Sequence, residues 1–146
     1  MTTQFDLDRF VDAQQPVMAS VLRELTEGKK CTHWMWFVFP QLAGLGHSPM
    51  AQRYAISTLA EAQAYLDHPY LGPRLIALTE VVNRLAGLSI HQIFGSPDDM
   101  KFHSSMTLFA LARPREPAFR AALQKYFDAR PDPRTTEMLR SQADPS

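Results

Sequence analysis

From Cys31 to Pro49 the chain reads C-T-H-W-M-W-F-V-F-P-Q-L-A-G-L-G-H-S-P, and both of its tryptophans lie in this stretch. Six consecutive apolar residues, Trp34 to Phe39, stand at its centre. Aromatic side chains of this size leave water only if other elements surround them, so the run is expected at the middle of the core. Pro40 ends it, and Gly44 and Gly46 lead to Ser48-Pro49, a helix start with a capping hydroxyl and proline in the first turn. A core segment that passes directly into a glycine loop and a helix start is an arrangement suited to holding a ligand.

Periodicity alone does not decide whether the run is a strand or a buried helix. The rest of the chain does. No second segment alternates convincingly, and a lone strand would leave its backbone groups unpaired. Helix is therefore expected, with Thr32 as its N-cap.

Upstream, Asp6 is placed to cap a helix that carries Leu7, Phe10 and Val11, with a break near Gln14-Gln15 ahead of Pro16. A second helix buries Val17, Val21 and Leu25 and runs to Glu27, where Gly28 stops it. Lys29 and Lys30 then read as a solvated helix end. Downstream, Ser48-Pro49 opens a helix through Tyr54. Thr58-Leu59-Ala60-Glu61 reads as a capping box for a helix to about Asp67. After a turn at 68–73, Leu71, Leu75, Leu78, Val82 and Leu85 mark an amphipathic helix ended by Gly87. A short helix follows from Ser89 to Gly95. Ser96-Pro97 starts another, with Asp98 and Asp99 in its first turn and Phe102, Met106 and Phe109 inward. Pro117 opens a helix burying Phe119, Leu123 and Tyr126, and Asp132-Pro133 a last short one, with fraying from Ser141. The sum is an all-α, single-domain bundle of about seven to nine short helices around the tryptophan segment, from 146 residues.

Fifteen basic and fifteen acidic residues cancel, which argues against a general nucleic-acid or acidic-membrane binder. No apolar run approaches the roughly 20 residues of a membrane helix, and the N-terminal segment lacks the pattern of a signal peptide. One cysteine, Cys31, fits a reducing compartment, so a bacterial-type cytoplasmic location is expected. The five histidines show no metal-ligand spacing, and no cofactor is implied.

Three groupings carry possible chemistry. Glu61, Tyr65 and His68 fall at i, i+4 and i+7, so a carboxylate, a phenol and an imidazole share one helical face and could move protons. A capping glutamate, a half-buried tyrosine and a turn histidine explain the same pattern more cheaply. Lys101 lies three and four residues before Ser104 and Ser105, which suits an activated hydroxyl or a phosphate site. A polar solvent face is the cheaper account, although the surrounding Met100, Phe102, Met106, Leu108 and Phe109 leave little of that helix exposed. Gly44-Leu45-Gly46 before Ser48-Pro49 could present backbone N–H groups to an anion, or form a plain turn.

The segments H-W-M-W-F-V-F-P-Q-L-A-G-L-G-H-S (33–48), E-A-Q-A-Y-L-D-H-P-Y-L-G-P-R-L (61–75) and D-D-M-K-F-H-S-S-M-T-L-F (98–109) resemble the uncharacterised bacterial family known as domain of unknown function eighteen-ten. That family is sometimes labelled calpastatin-like. The resemblance runs from Phe10 to Leu139 and implies a mostly helical, compact domain without an established activity; Pro16 departs from its pattern. Calpastatin-type inhibitors are long, disordered and repetitive, unlike this composition. A fainter similarity, carried by Glu61, Ala62, Leu71, Gly72 and Arg74 ahead of Met106 and Leu108, is to NADAR-type domains associated with ADP-ribose chemistry.

The family segments contain the polar residues already singled out, and together they suggest a cleft. One reading is a small enzyme or binder of a nucleotide-like anionic ligand, such as an ADP-ribose or NAD derivative. In it Glu61, His68 and Lys101 are the catalytic candidates. His33, Trp34, Trp36, Gln41, Tyr65, Arg74, Ser104 and Ser105 would contact the ligand. The alternative is a non-catalytic protein-interaction module that docks a partner helix. A Ser-Lys hydrolase using Ser104 or Ser105 is a third.

Overall fold

The computed structural model describes residues 5–143. It contains ten helices: α1 (Asp8–Gln14), α2 (Met18–Glu27), α3 (Met35–Val38), α4 (Pro49–Arg53), α5 (Leu59–Asp67), α6 (Leu71–Arg84), α7 (Ile90–Phe94), α8 (Asp98–Ala112), α9 (Pro117–Phe127) and α10 (Pro133–Ala143). Among the described residues the only β-type pairing is one parallel bridge between Leu42 and Ile56. The all-α expectation holds, with one helix more than the range anticipated.

The tryptophan run is helical for one turn only. Thr32 is not its cap. The Thr32 N–H and hydroxyl instead donate to Glu24 at 2.9 and 2.6 Å, so the chain bends through Thr32 and His33 and becomes helical only after Trp34. At the other end Pro40 disfavours helical geometry at Phe39, whose φ and ψ of −124° and 73° lie outside it. The run is central nonetheless. Trp34, Phe39 and Phe102 are fully buried, and Phe94 stacks on Phe102 at 4.8 Å between ring centroids. Trp34 and Phe39 both sit near Phe94, at 6.5 and 5.8 Å.

α8 is the axis. It packs on α5, α7, α9 and α10, and its Phe102, Met106, Leu108 and Phe109 are all fully buried. α6 packs beside α5, α2 and α9. Several boundaries follow their local signals: Gly28 ends α2 in the left-handed region, Ser48 caps α4, and Ser89 with Gln92 closes a capping box on α7.

Other boundaries differ from expectation. Asp6 makes no side-chain cap, and α1 begins after Leu7. Thr58 does accept from the Glu61 N–H at 3.2 Å, but the Glu61 carboxylate does not return the bond to Thr58, being held by Ser57 and Arg9. α6 stops at Arg84, before Gly87, because side chains from α9 take its last carbonyls: Tyr126 bonds Val82 at 2.5 Å, and Lys125 bonds Asn83 and Leu85. Lys30 is not a solvated end; its side chain is 7% exposed and pairs with Asp98 at 2.9 Å. α10 continues through Ala143, past the point where fraying was expected; residues 144–146 lie outside the described range.

Candidate functional site

The polar face of α5 is a seam onto which α1 docks. Glu61 is 3% exposed and receives Arg9 at 3.0 Å together with the Ser57 N–H and hydroxyl at 2.7 and 2.8 Å. One turn on, Tyr65 is fully buried and accepts from Gln14 Nε2 at 3.0 Å, while Phe10 meets its ring edge-on at 5.1 Å. Burial holds the Tyr65 phenol above its ordinary range, against smaller opposing contributions from Gln14 and Arg74. Arg74 donates to Gln14 and Gln15 at 3.3 and 3.4 Å from α6. The i, i+4 pattern was thus legible, but its partners are Arg9 and Gln14, residues that carried no motif.

His68 stands apart from this seam. Its Nδ1 accepts from the Tyr70 and Leu71 N–H groups at 3.1 and 3.3 Å, capping the start of α6. Seven residues of helical rise put it about 10 Å along α5 from Glu61. Lys101 belongs to a third location. Its ammonium lies 5.3 Å over the Trp36 ring and 3.7 Å from Asp98, the carboxylate that also holds Lys30 above Trp34. Among the described residues no hydrogen bond or ion pair links any two of Glu61, His68 and Lys101. The structure does not gather the three into one hollow.

The nominated ligand contacts divide in the same way. Trp34 is fully buried and its indole N–H donates to Glu24 at 3.1 Å, so neither ring face is open to a ligand. Trp36 is half-buried beneath Lys101, and His33 is exposed. Gln41 contributes through its backbone, accepting from the Ile56 N–H at 2.8 Å and closing the base of the 42–56 loop. Ser104 is fully buried and donates to Asp132 at 2.8 Å, whereas the Ser105 hydroxyl is buried without a partner. Because Lys101 turns to Trp36 and Asp98, the Ser-Lys pair is not assembled. Trp36 and Lys101 meet; Trp34, Gln41, Tyr65, Arg74 and Ser104 serve separate joints, and among the described residues His33 and Ser105 join none of them.

Two buried carboxylates escaped the sequence reading. Glu24 accepts from the N–H groups of Cys31 and Thr32, the Thr32 hydroxyl and the Trp34 indole. Burial pushes this carboxyl up, but the Thr32 hydroxyl and the three N–H donors outweigh it and draw the pKa down to about 2. Asp132 accepts from Ser104 at 2.8 Å and Thr135 at 2.6 Å, and its N–H donates to Thr107 at 2.9 Å, fastening the start of α10 to α8. Burial again raises that carboxyl, but the two hydroxyls, aided by Arg134 and His103, leave it below its ordinary value. The sequence marked Asp132 only as a helix start, and Glu24, between Arg23 and Leu25, carried no spacing signal for its partners.

An open groove of about 680 Å³ lies between the glycine loop and α10. Gly44, Leu45 and His47 form one wall; Pro133, Arg134, Glu137 and Met138 form the other. The loop wall is fixed at its base by the Leu42–Ile56 bridge and the helix wall by Asp132. A Cβ at Gly44 would overlap Met138 Cε, so the walls touch there, and Gly44 has a φ of +99° that glycine tolerates. The sequence marked the loop; it held no sign that a helix nearly ninety positions later would face it. Among the described residues no group of three or more His, Cys, Asp or Glu gathers as a metal site.

A family profile described as Protein of unknown function (DUF1810) matches residues 4–139. The chain belongs to the DUF1810 family. The three resemblance segments lie inside the matched range, as does every groove residue. Among solved structures, the DUF1810 chain is similar to the conserved hypothetical protein Rv1873 from Mycobacterium tuberculosis, at 57% identity and a TM-score of 0.93, over 94% of this chain and 99% of that one. No curated protein matches it significantly. Among the described residues no helix is long and apolar enough to cross a membrane.

Proposed function

We propose that the protein binds a small anionic, nucleotide-like molecule in the groove between the 44–47 loop and α10. The observation that carries this reading is the lining. Arg134 and His47 stand on opposite walls beside Leu45, Pro133 and Met138, with Glu137 next along α10, so a guanidinium, an imidazole and apolar surface face one space. Concave sites that combine an apolar body with a few convergent polar groups are where small ligands settle, and about 680 Å³ is within their usual size. Arg134 is half exposed, and among the described residues its one ion pair, to Asp132, is long at 3.7 Å, which leaves most of its guanidinium edge for a phosphate or carboxylate.

The reading is of a binder. Glu61, His68 and Lys101 are each committed to a structural joint, which removes the support for a shared catalytic role. The interaction-module alternative has less in its favour. The large exposed apolar residues Leu22, Tyr70, Met100 and Leu111 lie on α2, the α5–α6 turn and opposite ends of α8, the last two separated by about three helical turns.

The test is a thermal-shift screen of wild type, Arg134→Ala, Lys101→Ala and Glu61→Ala with AMP, NAD, ADP-ribose and inorganic phosphate. A ligand that binds only the folded state raises Tm with its concentration. The expected result is a rise in wild type that survives Lys101→Ala and Glu61→Ala and disappears in Arg134→Ala. No rise with any of the four compounds, or an undiminished rise in Arg134→Ala, overturns the reading.

A further inference from the structure

The charges along the groove limit which anion it accepts, and this step rests on the binding reading above. We infer that the site takes a ligand with a single anionic group, a phosphomonoester on a flat body bearing a hydroxyl or amino donor, as in a nucleoside monophosphate, and discriminates against diphosphates. Arg134 sits in the first turn of α10, an 11-residue helix whose positive end favours an anion there. His47 faces it from the loop. Among the described residues those two are the only basic side chains in the lining. Glu137 lies one turn further along the same helix face and is also in the lining. A second phosphate extended along α10 from Arg134 therefore meets a carboxylate.

Glu137 suits a neutral donor instead. It holds Arg140 at 3.0 Å and is 66% exposed, so its carboxylate keeps acceptor positions for a ligand hydroxyl or amino group. Met138 and Leu45 supply adaptable apolar contact for a ring between the two polar ends. Asp132, the other acid near Arg134, is buried; its Oδ2 accepts from Ser104 and Thr135, and its Oδ1 stays 3.7 Å from the guanidinium. The groove thus runs from positive to acceptor, with an apolar middle.

Isothermal titration of the full chain with AMP, adenosine and ADP-ribose tests this, using wild type, Arg134→Ala and Glu137→Gln. AMP is expected to bind about tenfold more tightly than either of the other two, and Arg134→Ala to remove most of the AMP advantage over adenosine. Glu137→Gln is expected to narrow the gap between AMP and ADP-ribose by about fivefold or more, since it removes the repulsive charge and keeps the shape. ADP-ribose binding more tightly than AMP, or a ratio unmoved by Glu137→Gln, overturns the single-anion inference and leaves the groove as a site. AMP binding that ignores Arg134→Ala overturns both.

Discussion

Gly72 packs against the backbone carbonyl of Leu66 so closely that a Cβ at position 72 would run into that oxygen. The contact lets α6 fold back on the end of α5 directly after the His68 turn, with Leu71 buried on one side and Arg74 reaching Gln14 on the other. Gly72→Ala forces a backbone shift, because the atom it meets cannot rotate away. Destabilisation of about 2–3 kcal/mol is expected despite alanine's better helix propensity. Urea unfolding with circular dichroism measures it; a neutral or stabilising result would contradict the close approach.

Glu24 makes stability depend on acid. Its pKa falls from 4.5 to about 2 on folding, so the folded state holds the ionised form more firmly than the unfolded chain does. A depressed carboxyl contributes stability that is fully present above the unfolded pKa and is lost as pH falls through the folded one. The window therefore lies between about pH 4.5 and 2, and the shift corresponds to about 3 kcal/mol. Glu24→Gln is expected to lose stability at pH 7 and to show a flatter acid limb than wild type. Unfolding free energies at a series of pH values decide it.

Much of the fold is written locally. Gly28, Ser48-Pro49, Ser89 and Pro117 each sit at a helix end for reasons within four residues of themselves. The failures share a cause: a partner distant in sequence outbid the local signal. Thr32 answers to Glu24 eight positions back, and the end of α6 is set by Lys125 and Tyr126 on α9. The same holds at the nominated site. Glu61, Tyr65, Arg74 and Ser104 stood out because ionisable and hydroxyl groups amid apolar neighbours need partners. Those partners, Arg9, Gln14 and Asp132, join helices to one another. Spacing along one helix shows which groups share a face, and it is silent on what that face meets.

The α1–α5 seam has a measurable order of importance. Glu61→Ala leaves the Ser57 N–H and Arg9 without their shared acceptor, and a loss of about 3 kcal/mol is expected. Glu61→Gln keeps an oxygen for Ser57 and gives up the charge, so its loss should be smaller. Tyr65→Phe removes one hydroxyl, while Gln14 Nε2 keeps the Phe37 carbonyl at 2.7 Å; about 1 kcal/mol or less is expected. Denaturant titration ranks the three. Equal losses in all would show that the ion pair adds nothing beyond packing.

Asp132 decides whether the groove has a second wall. In α10 only Thr135 is fully enclosed, and its hydroxyl is bound to Asp132, as is that of Ser104 on α8. At its far end α10 is tied by Gln142 to the Ser57 carbonyl at 2.8 Å. Asp132→Ala removes the near anchor and strands a buried hydroxyl, at about 2 kcal/mol. The damage should be local, since the aromatic core around Phe102 does not touch this carboxylate. Hydrogen exchange is expected to show protection falling across Pro133–Ala143 while the middle of α8 stays protected. Low pH should act in the same direction: the carboxyl is held below its ordinary value, so its contribution persists above the unfolded range and fades as pH drops beneath it. If α8 and α10 lose protection together, α10 is part of one cooperative unit and Asp132 is not its separate anchor.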